Sequence, residues 1–424
     1  MRESPYPLVS VDDAQATVLR WACPLPVQEV PLRSAQGLVL ARDVVAPLSL
    51  PPFPAAAMDG FALLAADGHA PRRLIGEQMA GRVAGLTVTP GAAVRITTGA
   101  PVPPGADAVV KVEAADEVDG TVVVHPDHPV RPGLNVRPVG SDVAQGQPVL
   151  AAGQVLGPAE LGVLASLGLS TVPVHRQPVV GIFSTGDELA EPGQPLGPGQ
   201  IYDSNRTTLV AAVAQAGGQP LDLGIIRDDP AELERRLAAG LVEADLLVTS
   251  GGVSMGELDL LKPLLERWGT VHFGRVLMKP GKPMTFATLR ARRPDGQPAS
   301  EGPWRLFFAL PGNPVSALVT FQLFVRPAIR RMMGHRAVGL PQIVATLGHP
   351  FRLDPERPEF HRVTLHREGS RCVAVSTGSQ ASSRLLSAAG ANGLLVLEKG
   401  RGELPAGVER PVLLLDDTWL SAAA

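Results

Sequence analysis

The sequence predicts a multidomain protein of α/β plus β class: a doubly wound α/β domain, an all-β insert before it and a small β domain after it. Three observations carry this. Strand-like and helix-like segments alternate from 177 to 333, short apolar runs between Gly and Pro turns fill 55 to 140, and short strands return from 338 to 424. Strand–helix alternation argues for parallel strands joined by crossover helices, whereas closely spaced short strands close into barrels or sandwiches.

Bulk properties narrow the class. A chain of 424 residues suits about three domains with a large buried core. Hydrophobic content of 45% and charged content of 19% fit a globular protein. A formal net charge of −3 leaves no basic footprint, so nucleic acid is not an expected partner. No apolar run reaches the roughly 18 residues of a membrane span. The first residues carry Arg2, Glu3, Asp12 and Asp13 and lack an apolar signal segment. Cys23 and Cys372 lie far apart and form no metal-ligand spacing. These features predict a soluble, reduced, cytoplasmic protein.

In chain order, Val11 to Trp21 has helical apolar spacing with Asp12 and Asp13 near its start. Val27 to Val30 and Leu38 to Val45 read as strands, and the proline-rich Leu48 to Pro54 as an extended linker. In the β region, Asp59 precedes a glycine in Met58-Asp59-Gly60-Phe61, and Arg137 and Asp142 share a turn-like stretch. Thr98-Gly99-Ala100-Pro101 is a turn whose hydroxyl and N–H groups can meet an anion. Leu156 to Leu167 is helical and would pack back on the N-terminal piece, splitting the first domain around the insert. Within the α/β region, strands are expected at Val179 to Phe183, Leu221 to Ile226, Asp245 to Thr249, Val271 to Leu277 and Leu306 to Leu310. Helices are expected at Asn205 to Ala216 with Ser204 or Asn205 as cap, at Pro230 to Ala239, at Leu260 to Trp268 and at Val315 to Met333 with Pro314 in the first turn. Ala291 to Pro303 reads as a loop.

Ligands of such sheets bind beyond the carboxyl ends of the strands. Polar loops fall there: Ser184-Thr185-Gly186-Asp187-Glu188, Arg227-Asp228-Asp229, Ser250-Gly251-Gly252-Val253 and Pro311-Gly312-Asn313-Pro314. One such turn is ordinary turn chemistry; four on one edge indicate a site. The Ser250-Gly251-Gly252 turn, between a strand and a helix, lets backbone N–H groups approach an anion. Asp187, Glu188, Asp228 and Asp259 supply carboxylates, and Lys279 and Lys282 flank Gly281. Carboxylates with few histidines suit Mg2+, and lysines near glycine turns suit phosphate or another oxyanion. HExxH, CxxC and GxxxxGK[ST] are all missing, and no GxGxxG follows the strand at Val179. His272 and His361 read as satisfied strand residues.

With those residues in view, the chain resembles the molybdopterin molybdenumtransferase family, which includes the C-terminal domain of gephyrin. The resemblance rests on Pro51-Pro52-Phe53-Pro54 through Met58-Asp59-Gly60-Phe61-Ala62, Thr98-Gly99-Ala100-Pro101, Gly140-Ser141-Asp142, Ser184 to Leu189, Tyr202-Asp203-Ser204-Asn205, Ser250 to Ser254 and Leu310 to Pro314. It implies an elongated domain split between 1–50 and 144–176, a β insert at 51–143, a molybdopterin-binding α/β domain at 177–334 and a C-terminal β barrel at 335–424. It also implies a homodimer whose sites combine the α/β domain of one subunit with the β insert of the other. The implied reaction inserts molybdate into adenylylated molybdopterin, needs Mg2+ and releases AMP. Molybdopterin adenylyltransferase and recipient molybdoenzymes are the implied partners.

Carried over, the working acids are Asp59, Asp142, Glu188, Asp228 and Asp259, with Glu188, Asp228 and Asp259 toward the metal. Substrate contacts fall on Thr98, Gly99, Arg137, Ser184, Thr185, Gly186, Asp187, Ser250, Gly251, Gly252, Val253, Lys279, Lys282, Pro311, Gly312, Asn313 and Pro314, with Arg362 and Ser382 as further anion contacts. The chain departs from the family pattern at Ala55 to Ala57 and Phe61, where a hydroxyl contact is lost, and at Glu257-Leu258. The alternatives are a receptor-clustering scaffold and the molybdopterin adenylyltransferase that acts one step earlier.

Overall fold

The computed structural model describes residues 6–252, 261–292, 297 and 303–416. Its internal contacts divide the chain into two units: Met1–Glu29 with Gly37–Ala41 and Pro173–Ala424, and Val30–Gln36 with Arg42–Val172.

The first unit is centred on a six-stranded sheet in the order Gln219–Ile226, Val179–Thr185, Leu246–Ser250, Trp304–Leu310, Thr285–Arg290, Gly269–Phe273. The first four strands are parallel, and the last two are successively antiparallel. Alternate residues serve opposite faces. Val180, Ile182, Leu246, Val248 and Phe308 join one core with Leu209 and Val213 of the helix Ser204–Ala216 and Phe321 and Ile329 of the C-terminal helical run. Phe183, Leu247 and Phe307 join the other with Leu233, Leu237 and Leu241 of the helix Pro230–Glu243 and Leu264 and Leu265 of Leu261–Trp268. Helices on both faces make the sheet doubly wound, as the alternation predicts. The run from Pro314 to Met332 holds a π turn at Phe321–Val325 and is mostly apolar and buried, with Arg331 exposed in its last turn. Val11–Trp21, capped by Ser10, packs Ala14 and Val18 into the same core.

A closed five-stranded barrel follows: Gln342–Leu347, Arg371–Ser376, Glu359–Glu368, Gly393–Leu397 and Glu409–Leu414. Leu347, Val363, Leu365, Leu395 and Val412 fill it.

The second unit carries a six-stranded sheet in the order Ala108–Lys111, Gly60–Leu63, Ala92–Ile96, Arg72–Gln78, Thr121–Val124, Ala115–Val118. Phe61, Leu63 and Val110 fill one side, and Ala62, Val94 and Val109 the other. Gly60 is required by close approach: a Cβ there would stand 1.9 Å from the Val110 carbonyl oxygen.

Local readings change in three places. Asp203, not Ser204 or Asn205, caps the helix Ser204–Ala216; its carboxylate accepts from the Arg206 N–H. The expected strand over Leu38 to Val45 reduces to a bridge at Leu40 and the pair Val44–Val45. The expected strand over Val271 to Leu277 breaks at Gly274, where a Cβ would stand 2.6 Å from the Tyr6 ring.

Candidate active site

The strand order puts a switch point between Val179–Thr185 and Leu246–Ser250, where the chain runs outward to opposite sides; ligands of such sheets bind beyond the carboxyl ends at this point. The loops at this edge touch. Gly251 and Gly252 have φ of 91° and 70°, a conformation glycine adopts freely. A Cβ on Gly252 would lie 3.0 Å from Thr185 Oγ1, and the Gly251 N–H donates to the Leu310 carbonyl at 3.2 Å. Asn205 straps the edge: its amide nitrogen donates to Ser250 Oγ and to the Gly312 carbonyl, both at 2.6 Å. Among the described residues, the buried atoms Asn205 Oδ1 and Thr185 Oγ1 have no hydrogen-bond partner.

Behind the edge lies an ion network centred on the buried Arg206 and Asp203. Ser184 Oγ donates to Asp203 at 3.0 Å, and Arg206 Nε donates to the same carboxylate at 3.0 Å. Arg206 also reaches Asp222 at 2.7 Å and pairs with Glu191. Burial opposes the Arg206 charge, but hydrogen bonds to Asp222 and Asp203 outweigh it and raise the guanidinium above its ordinary pKa.

The remaining acids of this edge are exposed. Gly186 (φ 139°) lets Glu188 fold back, with a carboxylate oxygen 2.2 Å from where a Cβ would stand. Arg227 donates to the Asp187 carbonyl at 3.1 Å, and the Asp228 N–H to the Asp187 carboxylate at 3.4 Å. The loops holding Glu188 and Asp228 are thereby joined. Among the described residues no three His, Cys, Asp or Glu side chains cluster as metal ligands. Val253 and Asp259 lie outside the described residues.

The Pro311-Gly312-Asn313-Pro314 loop meets the barrel, because the Val315 N–H donates to the Ser382 carbonyl at 3.0 Å. Arg362, buried nearby, donates to Ser387 Oγ at 3.0 Å and leaves one guanidinium nitrogen unpartnered. Gly281 packs on Thr320 of the following helical run, so the Lys279–Lys282 loop also borders this region. Lys282 is exposed, whereas Lys279 pairs with Glu359 at 3.0 Å and Asp354 at 3.3 Å. His272 bonds Thr288 at 2.9 Å and stacks on Phe286, a satisfied strand residue as expected. His361 is likewise satisfied, by Glu359 and Ser376.

The second unit gathers its own set along the pair of Ala55–Ala56 with Val136–Arg137. Asp59 accepts from the Thr98 N–H at 2.6 Å and the Thr98 hydroxyl at 2.7 Å. The Gly99 N–H donates to the Ala56 carbonyl at 2.8 Å. Arg137 pairs with Asp142, and the Ser141 hydroxyl lies 3.4 Å from the same carboxylate. The Thr98 N–H and then its hydroxyl hold Asp59 below the usual carboxylate range; the Arg137 hydrogen bond does so first for Asp142. Both side chains are exposed and ionised at neutral pH.

Sequence reasoning did not single out Asn205, Asp203, Asp354 or Glu359 as site residues. Asp203 carried a signal, an acid three residues before Arg206 at a helix start. The other three act through partners distant in sequence.

A doubly wound sheet with polar switch-point loops, a closed barrel and a second, mainly β unit define a multidomain α/β plus β protein. Comparisons with known proteins give the particular kind. The chain belongs to the molybdopterin molybdenumtransferase family, a transferase family of molybdenum cofactor biosynthesis. Residues 9–168 match the MoeA N-terminal region (domain I and II), 181–331 a probable molybdopterin binding domain and 344–415 the MoeA C-terminal region (domain IV). Molybdopterin molybdenumtransferase 2 of Mycobacterium tuberculosis is 42% identical, over 90% of this chain and 94% of that one. Gephyrin of Dictyostelium discoideum is 38% identical over 96% of this chain, which spans 62% of that protein's length. The solved molybdopterin biosynthesis moeA protein of Pyrococcus horikoshii OT3 superposes with a TM-score of 0.78 at 29% identity, covering 96% of this chain and all of that one.

Proposed function

We propose that this chain inserts molybdate into adenylylated molybdopterin with Mg2+-dependent release of AMP, as a cytoplasmic homodimer. The carrying observation is the pair of unpartnered buried atoms, Thr185 Oγ1 and Asn205 Oδ1, beside the Gly251–Gly252 turn. A hydroxyl free to donate suits a phosphate oxygen, and a carboxamide oxygen free to accept suits the N–H edge of a pterin. The glycine turn admits such a guest to the backbone.

Molybdate and both phosphates are anions, so bringing them together requires positive charge against their repulsion. Lys279, Lys282 and Arg137 supply it from the chain, and the buried Arg362, one nitrogen unpartnered, adds a donor where Ser382 meets the Pro314 loop. Glu188 and Asp228 are exposed oxygen donors on joined loops, which fits Mg2+, and Asp259 completes the proposed set. When bound, Mg2+ supplies charge that offsets the phosphate oxygens. Asp59 and Asp142, held ionised, orient groups around the phosphoanhydride that yields AMP. Molybdopterin adenylyltransferase would supply the substrate, and molybdoenzymes would receive the product.

The test is AMP release from adenylylated molybdopterin by the purified chain. The reading expects release that needs molybdate and stops when Mg2+ is chelated. No AMP under any of these conditions contradicts it. Adenylylation of metal-free molybdopterin by Mg-ATP would support the adenylyltransferase alternative instead.

A further inference from the structure

We infer that Glu359 and Asp354 of the C-terminal barrel are positioning residues for Lys279, fixing the direction in which its ammonium meets the substrate; this rests on Lys279 being a substrate contact. Lys279 belongs to the α/β part of the chain but is gripped by the barrel along its backbone. Its N–H donates to the Pro358 carbonyl at 2.9 Å, and its carbonyl accepts from the Phe360 N–H at 2.8 Å. The ammonium then lies 3.0 Å from Glu359 and 3.3 Å from Asp354. An ammonium has three N–H bonds; with two engaged by carboxylates, the third has a defined direction.

Both carboxylates are themselves fixed. Glu359 is buried, and its other oxygen lies 3.0 Å from His361 Nδ1, whose Nε2 lies 2.8 Å from Ser376 Oγ. The other oxygen of Asp354 accepts from the N–H groups of Glu356 and Arg357 at 2.9 and 3.0 Å. A lysine that only attracted anions would be weakened by two carboxylates at its side. Two immobilised carboxylates make sense where orientation matters more than net charge, since a small misplacement costs rate steeply. Lys279, Glu359 and His361 line a cavity of about 480 Å³ that His349 and Arg352 also face. Burial pushes the lysine toward its neutral form, but Glu359 and then Asp354 outweigh it and raise its pKa.

The experiment measures kcat, KM and the pH profile of AMP release for the full chain and for Lys279→Ala, Glu359→Gln, Glu359→Asp and Asp354→Asn. Glu359→Gln and Asp354→Asn should lower kcat about ten- to a hundredfold with KM little changed. The alkaline limb should move to lower pH, because the lysine loses the charge that keeps it protonated, and Glu359→Asp should restore part of the rate. Wild-type kcat and an unmoved limb in both variants, with Lys279→Ala inactive, would overturn the inference and leave the function standing. A kcat loss that tracks a lower Tm with no shift of the limb would also overturn it. If the wild type releases no AMP, the functional reading fails and takes this inference with it; if Lys279→Ala keeps full activity, the inference alone is overturned. Should Glu359→Gln not fold, Asp354→Asn decides.

Discussion

Thr98 donates both its backbone N–H and its hydroxyl to a single oxygen of Asp59, at 2.6 and 2.7 Å. The second Asp59 oxygen is not engaged in this pair, and the carboxylate is kept ionised below its ordinary range. Because the folded pKa is depressed, any stabilisation from this contact is present above the unfolded value and is lost as pH falls through the folded one. Asp59→Asn should therefore fold normally at neutral pH yet lose AMP release, and Asp259→Asn should do the same. Thr98→Val should raise the Asp59 pKa, read by NMR titration of the side chain. Wild-type turnover in both Asn variants would remove the acid-cluster account.

Asn205 holds the loops after two different strands through one amide group. Asn205→Asp keeps the volume, removes both donors and sets a carboxylate against Ser250 Oγ and the Gly312 carbonyl. Breaking such bonds costs roughly 1–3 kcal/mol, to be read by urea unfolding. The added negative charge should also weaken binding of the anionic substrate, seen as a raised KM. Unchanged stability and KM together would mean the strap is incidental.

His335 is buried, and its pKa falls to about 4, first through burial and then through the charges of Arg330 and Arg326. The neutral ring accepts from Arg330 at 3.1 Å. For a histidine held neutral, the contribution is full above the unfolded pKa near 6.5 and is lost as pH falls toward about 4. The chain should therefore lose stability over that window, on the order of 3 kcal/mol at full effect. His335→Gln keeps an acceptor for Arg330 and should flatten the dependence of Tm on pH between about 7 and 4. An equal slope in variant and wild type would assign the loss to other groups.

Much of the fold could be read from local pattern. The apolar runs at Val179, Leu246 and Leu306 mark buried parallel strands, and Pro230 and Pro314 mark helix starts, because both signals are confined to neighbouring residues. The antiparallel pairing of Thr285–Arg290 and the break at Gly274 were not legible, since each depends on a remote partner. The site shows the same limit. Its glycine loops declare themselves by composition, and Asp59 and Thr98 each stand out in a turn, but only the fold brings them together. The Lys279–Glu359 pair spans two parts of the chain with no shared periodicity, so no local rule predicts it.

The central claim is that phosphate-bearing guests are held at the carboxyl edge of the parallel sheet by the Gly251–Gly252 turn, Thr185 and Asn205. A crystal structure of the chain with adenylylated molybdopterin and molybdate tests this most directly. The account predicts pterin and phosphate density against Thr185, Asn205 and the Gly251–Gly252 backbone. Ordered substrate bound elsewhere, with this edge untouched, would contradict it.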